Sequence, residues 1–123
     1  MIPKIISHFK NKKDSIELGN VNVSREFNSL EFVIDCYFKL IFCNSISKIV
    51  NICSGKTHSI LEIISYIEII IDHKIKIYSN KKYFRENDAY FLAGDPTLLR
   101  SLIKVDYNKN DIKKTLTRML FDE

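Results

Sequence analysis

The chain has 123 residues, 46% of them hydrophobic and 28% charged, with a formal net charge of +4. These proportions exclude a disordered chain and allow a single domain with its own core, without disulfides or a structural metal. Its lysines are dispersed rather than gathered in a run, so the charge excess is a weak argument for a nucleic-acid partner, and none is expected.

Residues 2–11 predict a short opening helix with Ile2, Ile5, Ile6 and Phe9 on one face. Ser15-Ile16-Glu17-Leu18 alternates like a short strand, and Gly19-Asn20 then marks a turn in which glycine's tolerance of positive φ is expected to be used. From Leu30 to Phe42 the helical period is strong: Leu30, Val33, Ile34, Tyr37, Phe38 and Ile41 share a stripe expected to face the core, with Asp35 and Lys39 opposite. Lys48 to Cys53 is rich in β-branched residues and ends at Ser54-Gly55, which predicts a buried strand. Ser59-Ile60-Leu61-Glu62 is a capping box that opens a second helix, whose stripe is Ile60, Ile63, Ile64, Ile67 and Ile71. Lys74 to Tyr78 alternates charge with Ile and predicts a second strand with one wet face. Asp95-Pro96 should start a helix running to about Ile103, with Asp capping and Pro in the first position. A last helix is expected over Asp111 to Phe121, turning Ile112, Leu116, Met119 and Leu120 inward. The pattern is one small α/β domain (α+β-like), helices packed on a few short strands, spanning 1–123.

Cys36, Cys43 and Cys53 are odd in number and contain no Cys-x-x-Cys pair, which points to a reducing compartment. Cys36 and Cys43, seven apart, should pack on one helical face rather than bind metal. His8, His58 and His73 show no His-x-x-x-His spacing, so no metal is expected. The start of the chain does not read as a signal peptide, and the most apolar run, Ile60 to Ile71, is too short to span a bilayer and holds two glutamates. A cytoplasmic protein with no membrane partner is the expectation.

No catalytic constellation stands out. A dinucleotide turn needs clustered glycines, and Gly19, Gly55 and Gly94 are far apart. Tyr78 and Lys82 have the spacing that on a helix sets an ammonium beside a phenol, but here the Tyr ends a predicted strand and Ser-Asn-Lys favours a turn. Arg25 sits near a helix entrance, where its fork of donors suits a phosphate; on local sequence alone, a surface pair with Glu26 or Glu31 is favoured. Arg85 and Asp88 would suit a diphosphate and ribose hydroxyls, or form a solvated loop.

Taken together, three blocks change that balance. Glu17-Leu18-Gly19-Asn20-Val21-Asn22-Val23-Ser24-Arg25-Glu26-Phe27, Val50-Asn51-Ile52-Cys53-Ser54-Gly55-Lys56-Thr57-His58-Ser59-Ile60, and Arg85-Glu86-Asn87-Asp88 followed by Gly94-Asp95-Pro96-Thr97-Leu98-Leu99 stand in order along nearly the whole chain. They resemble the C-terminal substrate-binding region of the NAD-dependent epimerase/dehydratase family (extended short-chain dehydrogenases), in particular its GDP-mannose dehydratase and reductase subgroup. The resemblance implies that Gly19, Asn20 and Arg25 contact a nucleotide diphosphate, that Arg85 and Asp88 hold phosphate and ribose, and that Ser59 stays a cap. Glu26 departs from that family's Asp, and Glu86 from its Pro. In the family a preceding Rossmann half supplies NAD(P) and the catalytic Tyr and Lys. The implied function is therefore the nucleotide-sugar-binding part of a nucleotide-sugar dehydratase, reductase or epimerase of GDP-mannose type. Such a chain binds no cofactor itself, is not catalytic alone, and is expected to work with an N-terminal Rossmann polypeptide or to self-associate. The alternative is a stand-alone, non-enzymatic binding or vestigial protein from a truncated reading frame.

Overall fold

The computed structural model describes residues 1–44, 49–84 and 88–122. Helix α1 (Ile2–Lys10) buries Ile5, Ile6 and Phe9 and leads through a turn into strand β1 (Ser15–Leu18), whose Ile16 and Leu18 point inward while Ser15 and Glu17 point out. Helix α3 (Ile60–Ile71) supplies Ile60, Ile63, Ile64 and Ile67 to the same core, and helix α5 (Ile112–Phe121) closes it with Leu116 and Leu120.

The expected strand after α3 is β4 (Lys76–Ser79), which pairs in parallel with β1 in the register Ile16 to Ile77. The capping box forms as the sequence requires: Ser59 Oγ accepts from the Glu62 N–H at 3.1 Å, and Glu62 returns to the Ser59 N–H at 2.7 Å. α3 ends on Asp72 in the left-handed conformation. Helix α4 (Thr97–Leu102) begins one residue later than Asp-Pro suggests. Asp95 still accepts from the Thr97 N–H at 2.9 Å, with Pro96 as the residue preceding the helix.

Three short strands have no counterpart in the sequence reading. β2 (Ser24–Glu26) lies at the centre, antiparallel to β3 (Thr57–Ser59) and parallel to β5 (Phe91–Leu92). This small sheet draws together parts of the chain that are more than thirty residues apart.

Two expectations are corrected. Helix α2 (Leu30–Ile41) forms where predicted, capped by Ser29, yet it buries Phe32 and Cys36 and leaves Leu30, Ile34, Tyr37, Phe38 and Ile41 exposed. The predicted strand also fails to appear: residues 49–53 are in no strand, and Lys48 lies outside the described residues. Val50 and Ile52 instead pack beneath α2, in a second, smaller core of Phe32, Cys36 and Leu99. The physical reason is common to both. β-Propensity and amphipathic period report a fit to a sheet or an apolar surface, and nothing among the described residues supplies one there.

No described helix is long and apolar enough to cross a membrane.

Candidate functional site

β2 organises the site because successive residues of a strand face opposite ways. Arg25 turns into a cavity of about 400 Å³, and Glu26 turns away from it. Gly19 and Asn20, just past β1, and Asp88, just before β5, line the same cavity. Four of the five residues implicated by sequence therefore meet in one place, and Arg85 lies outside the described residues.

The parallel pairing of β5 with β2 carries Asp88 and Ala89 alongside Arg25. The guanidinium donates from Nη2 to the Asp88 carboxylate at 2.5 Å, and from Nη1 to the carbonyls of Ala89 at 2.7 Å and Ser24 at 3.0 Å. The local pairing with Glu26 or Glu31 does not occur: Glu26 faces the other way, and Glu31 binds Arg118 at 2.5 Å. A guanidinium has five N–H donors. Three are engaged here, so the Nε–H and one Nη2–H have no partner among the described residues, and they can serve an anion.

Asn20 uses its side-chain oxygen locally, accepting from the Asn22 N–H at 3.1 Å, while its amide nitrogen has no partner among the described residues. Gly19 does not adopt positive φ, which corrects the expectation. Its role is close approach: a Cβ there would stand 2.6 Å from the Tyr83 carbonyl oxygen. Positive φ is found instead at Gly55, at +75°.

Sequence reasoning missed Lys4, Phe27 and Tyr83, which also line the cavity. Lys4 Nζ donates to the Glu17 carbonyl at 2.6 Å and stands 5.5 Å from the centre of the Tyr83 ring. The only signal for Lys4 was its place on the polar side of α1. Among the lining side chains, two cations, Lys4 and Arg25, stand against two carboxylates, Glu17 and Asp88, so these side chains give the cavity no net charge and its character rests on directed donors.

On the opposite face of β2, the Glu26 carboxylate accepts from the N–H of Ser54 at 2.5 Å and of Gly94 at 3.0 Å, from Ser54 Oγ at 3.1 Å and from Asn28 at 2.8 Å. Burial alone would raise its pKa, but the bonds from Gly94, Asn28 and Ser54 outweigh it and hold the carboxyl below its ordinary range.

Tyr78 and Lys82 lie on different elements, β4 and a 3₁₀ turn (Lys81–Tyr83), and do not share a helical face. The three glycines form no dinucleotide cradle. Gly19 packs on Tyr83, Gly55 lies against the Pro96 ring and Gly94 against Cys53.

No family model matches the chain. It is 30% identical over 119 residues to GDP-6-deoxy-D-talose 4-dehydrogenase of Aggregatibacter actinomycetemcomitans, covering 97% of this chain and 40% of that protein. It is 27% identical over 79 residues to GDP-6-deoxy-D-mannose reductase of Pseudomonas aeruginosa, covering 64% of this chain and 26% of that one. Among solved structures, a candidate epimerase from Burkholderia cenocepacia superposes with a TM-score of 0.87 at 27% identity, over 98% of this chain and 39% of that one. RMD from Pseudomonas aeruginosa, complexed with NADPH, gives a TM-score of 0.82 at 23% identity, over 98% of this chain and 40% of that one. The chain thus spans well under half the length of the proteins it matches.

Proposed function

For a chain that is a relative of the C-terminal part of the NAD-dependent epimerase/dehydratase family, we propose the role of binding the nucleotide sugar, with GDP-sugars favoured, inside an NAD(P)-dependent dehydratase, reductase or epimerase. The observation that carries this reading is the meeting of Gly19, Asn20, Arg25 and Asp88 in one cavity, with two guanidinium donors unspent among the described residues. Both curated relatives are named for GDP-6-deoxy sugars, which supports the choice of base.

In this reading the Arg25 fork receives diphosphate oxygens, for which a planar pair of N–H groups is well matched. Asp88 and two backbone carbonyls hold the guanidinium in place, so little side-chain freedom is lost on binding. The Asn20 amide adds a neutral donor at the rim. The bareness of Gly19 lets the chain pass close beneath Tyr83 and keeps that wall of the cavity in position. Arg85, by the resemblance, adds a second cation for the phosphates. Hydride transfer belongs to NAD(P), for which these residues form no cradle. The chain's own residues grip and orient the substrate, and the cofactor half, on the same polypeptide or another, completes the enzyme.

Titration calorimetry with GDP, UDP and dTDP tests the proposal. GDP should bind most tightly, and Arg25→Ala should weaken it by at least about tenfold, the scale of one charge-assisted hydrogen bond. Equal binding by the wild type and Arg25→Ala would remove Arg25 from the site.

A further inference from the structure

Of the three histidines only His58 is buried, with 8% of its surface exposed. It is the central residue of β3, and its partner across the antiparallel pair is Arg25. Residues directly opposite in such a pair leave the sheet on the same face, with Cβ atoms about 5 Å apart. Arg25 then reaches across to Asp88 and Ala89 beside β5. The imidazole instead lies against α3, edge-to-face with Tyr66 at a centroid distance of 6.1 Å. His8 and His73 bond the carbonyls of Lys4 and Lys13, whereas neither nitrogen of His58 has a partner among the described residues.

The charged groups around it are mostly cations. Arg25 is opposite on β2, Lys56 stands just before β3, and Lys113 of α5 lies 4.8 Å above the centre of the Tyr66 ring. The carboxylate that faces it, Glu62 of α3, is committed to the Ser59 N–H in the capping box. A proton on this ring would therefore create a buried cation with no acceptor, set among like charges. Burial first, and the Lys56 ammonium second, push the imidazole below the ordinary histidine range, with Glu62 acting against them. At neutral pH His58 is uncharged and packs as an aromatic ring.

β3 has only three residues, which places it among the parts of a fold that open at low free energy. Its opening reaches the cavity, because Ser59 caps α3 and Ile60 belongs to the cavity lining. We infer that His58 is a proton-operated latch on that cavity: uncharged, it packs β3 and the start of α3 against β2; protonated, it forces β3 away from Arg25 and opens the wall at Ile60. The link to nucleotide binding rests on the function proposed above, whereas the latch itself does not. The sign is definite. The folded pKa lies below the ordinary 6.5, so the stabilisation is complete above that value and is lost as pH falls from there through the folded value.

The test compares the full wild-type chain with His58→Phe, which keeps an aromatic ring but takes no proton. Hydrogen exchange at the amides of 57–60 and calorimetry with GDP are each run from pH 7.5 down to about pH 5. Because the phosphates of GDP also titrate, the difference between the two proteins is the quantity read. On acidification, protection at 57–60 in the wild type should fall relative to the variant on the order of fivefold, the scale of like charges facing across a strand pair, and GDP affinity should fall with it. The ring-proton NMR signal of His58 in the wild type needs no variant and should titrate below 6.5. The latch is overturned if protection at 57–60 follows pH identically in the two proteins, or if the His58 ring titrates at or above that value. Protection that falls as expected while GDP affinity keeps pace with the variant overturns the link to the cavity. If neither protein binds GDP at any pH, the proposed function fails, and the exchange and NMR data still decide the latch.

Discussion

Replacing Glu26 by Gln removes the one charge that joins β2 to both the Ser54 and the Gly94 turns. In the wild type, two backbone N–H groups, the Ser54 hydroxyl and the Asn28 amide converge on the carboxylate. A Gln side chain offers one acceptor oxygen and turns an NH₂ toward donors, so at least one buried N–H loses its partner. Such a loss costs about 1–3 kcal/mol, and the partial exposure of this site places it toward the lower half of that range. The pH dependence has a definite sign. Because the folded pKa lies below the ordinary 4.5, the carboxylate stabilises the fold fully above the unfolded value, and that contribution disappears as pH falls through the folded value. Urea melts at neutral pH and near pH 3 measure both effects. The variant should have the lower midpoint at pH 7 and should lose less than the wild type on acidification. Glu31, Asp35, Glu62 and Asp95 also titrate below their ordinary values, so the difference between the two proteins, rather than either acid limb alone, isolates Glu26. Equal midpoints at pH 7 together with parallel acid limbs would refute the role given to this residue.

Two further outcomes follow from the packing. Ser59→Ala should cost about 0.5–2 kcal/mol in a thermal or urea melt, because it opens the capping box of α3. Ile67→Ala, at a fully buried position in the main core, should cost about 2–5 kcal/mol by the same measurement.

The sequence was most legible where the signal is local. The helices α1, α3 and α5 follow from stripes and caps that each lie within about a dozen residues, and their predicted inward residues are the ones that pack. β1 and β4 alternate over four residues, enough to be read. Strands β2, β3 and β5 have three, three and two residues, too few for a period. They exist because distant segments pair, and no local pattern records that. Helix α2 is the instructive case. Its period gave the element but not the direction of burial, since a stripe says only that an apolar surface is wanted. Here Phe32 and Cys36 on another face won the core.

The site obeys the same logic. Local sequence offered Arg25 two acidic neighbours, Glu26 and Glu31, and both go elsewhere. Glu26 is adjacent on a strand and so must face away; Glu31 is taken by Arg118 from α5. The acid that reaches Arg25 is 63 residues distant, brought in by the parallel pairing of β2 with β5. Only the joint order of the three motif blocks pointed to that meeting. The alternation also settles what the departure at Glu26 means. The change from the family's Asp lies across the strand from the cavity, where a longer side chain spans the Ser54 and Gly94 turns. It bears on how the sheet is tied to its loops, and the hydrogen bonds that hold Arg25 in the cavity do not involve it.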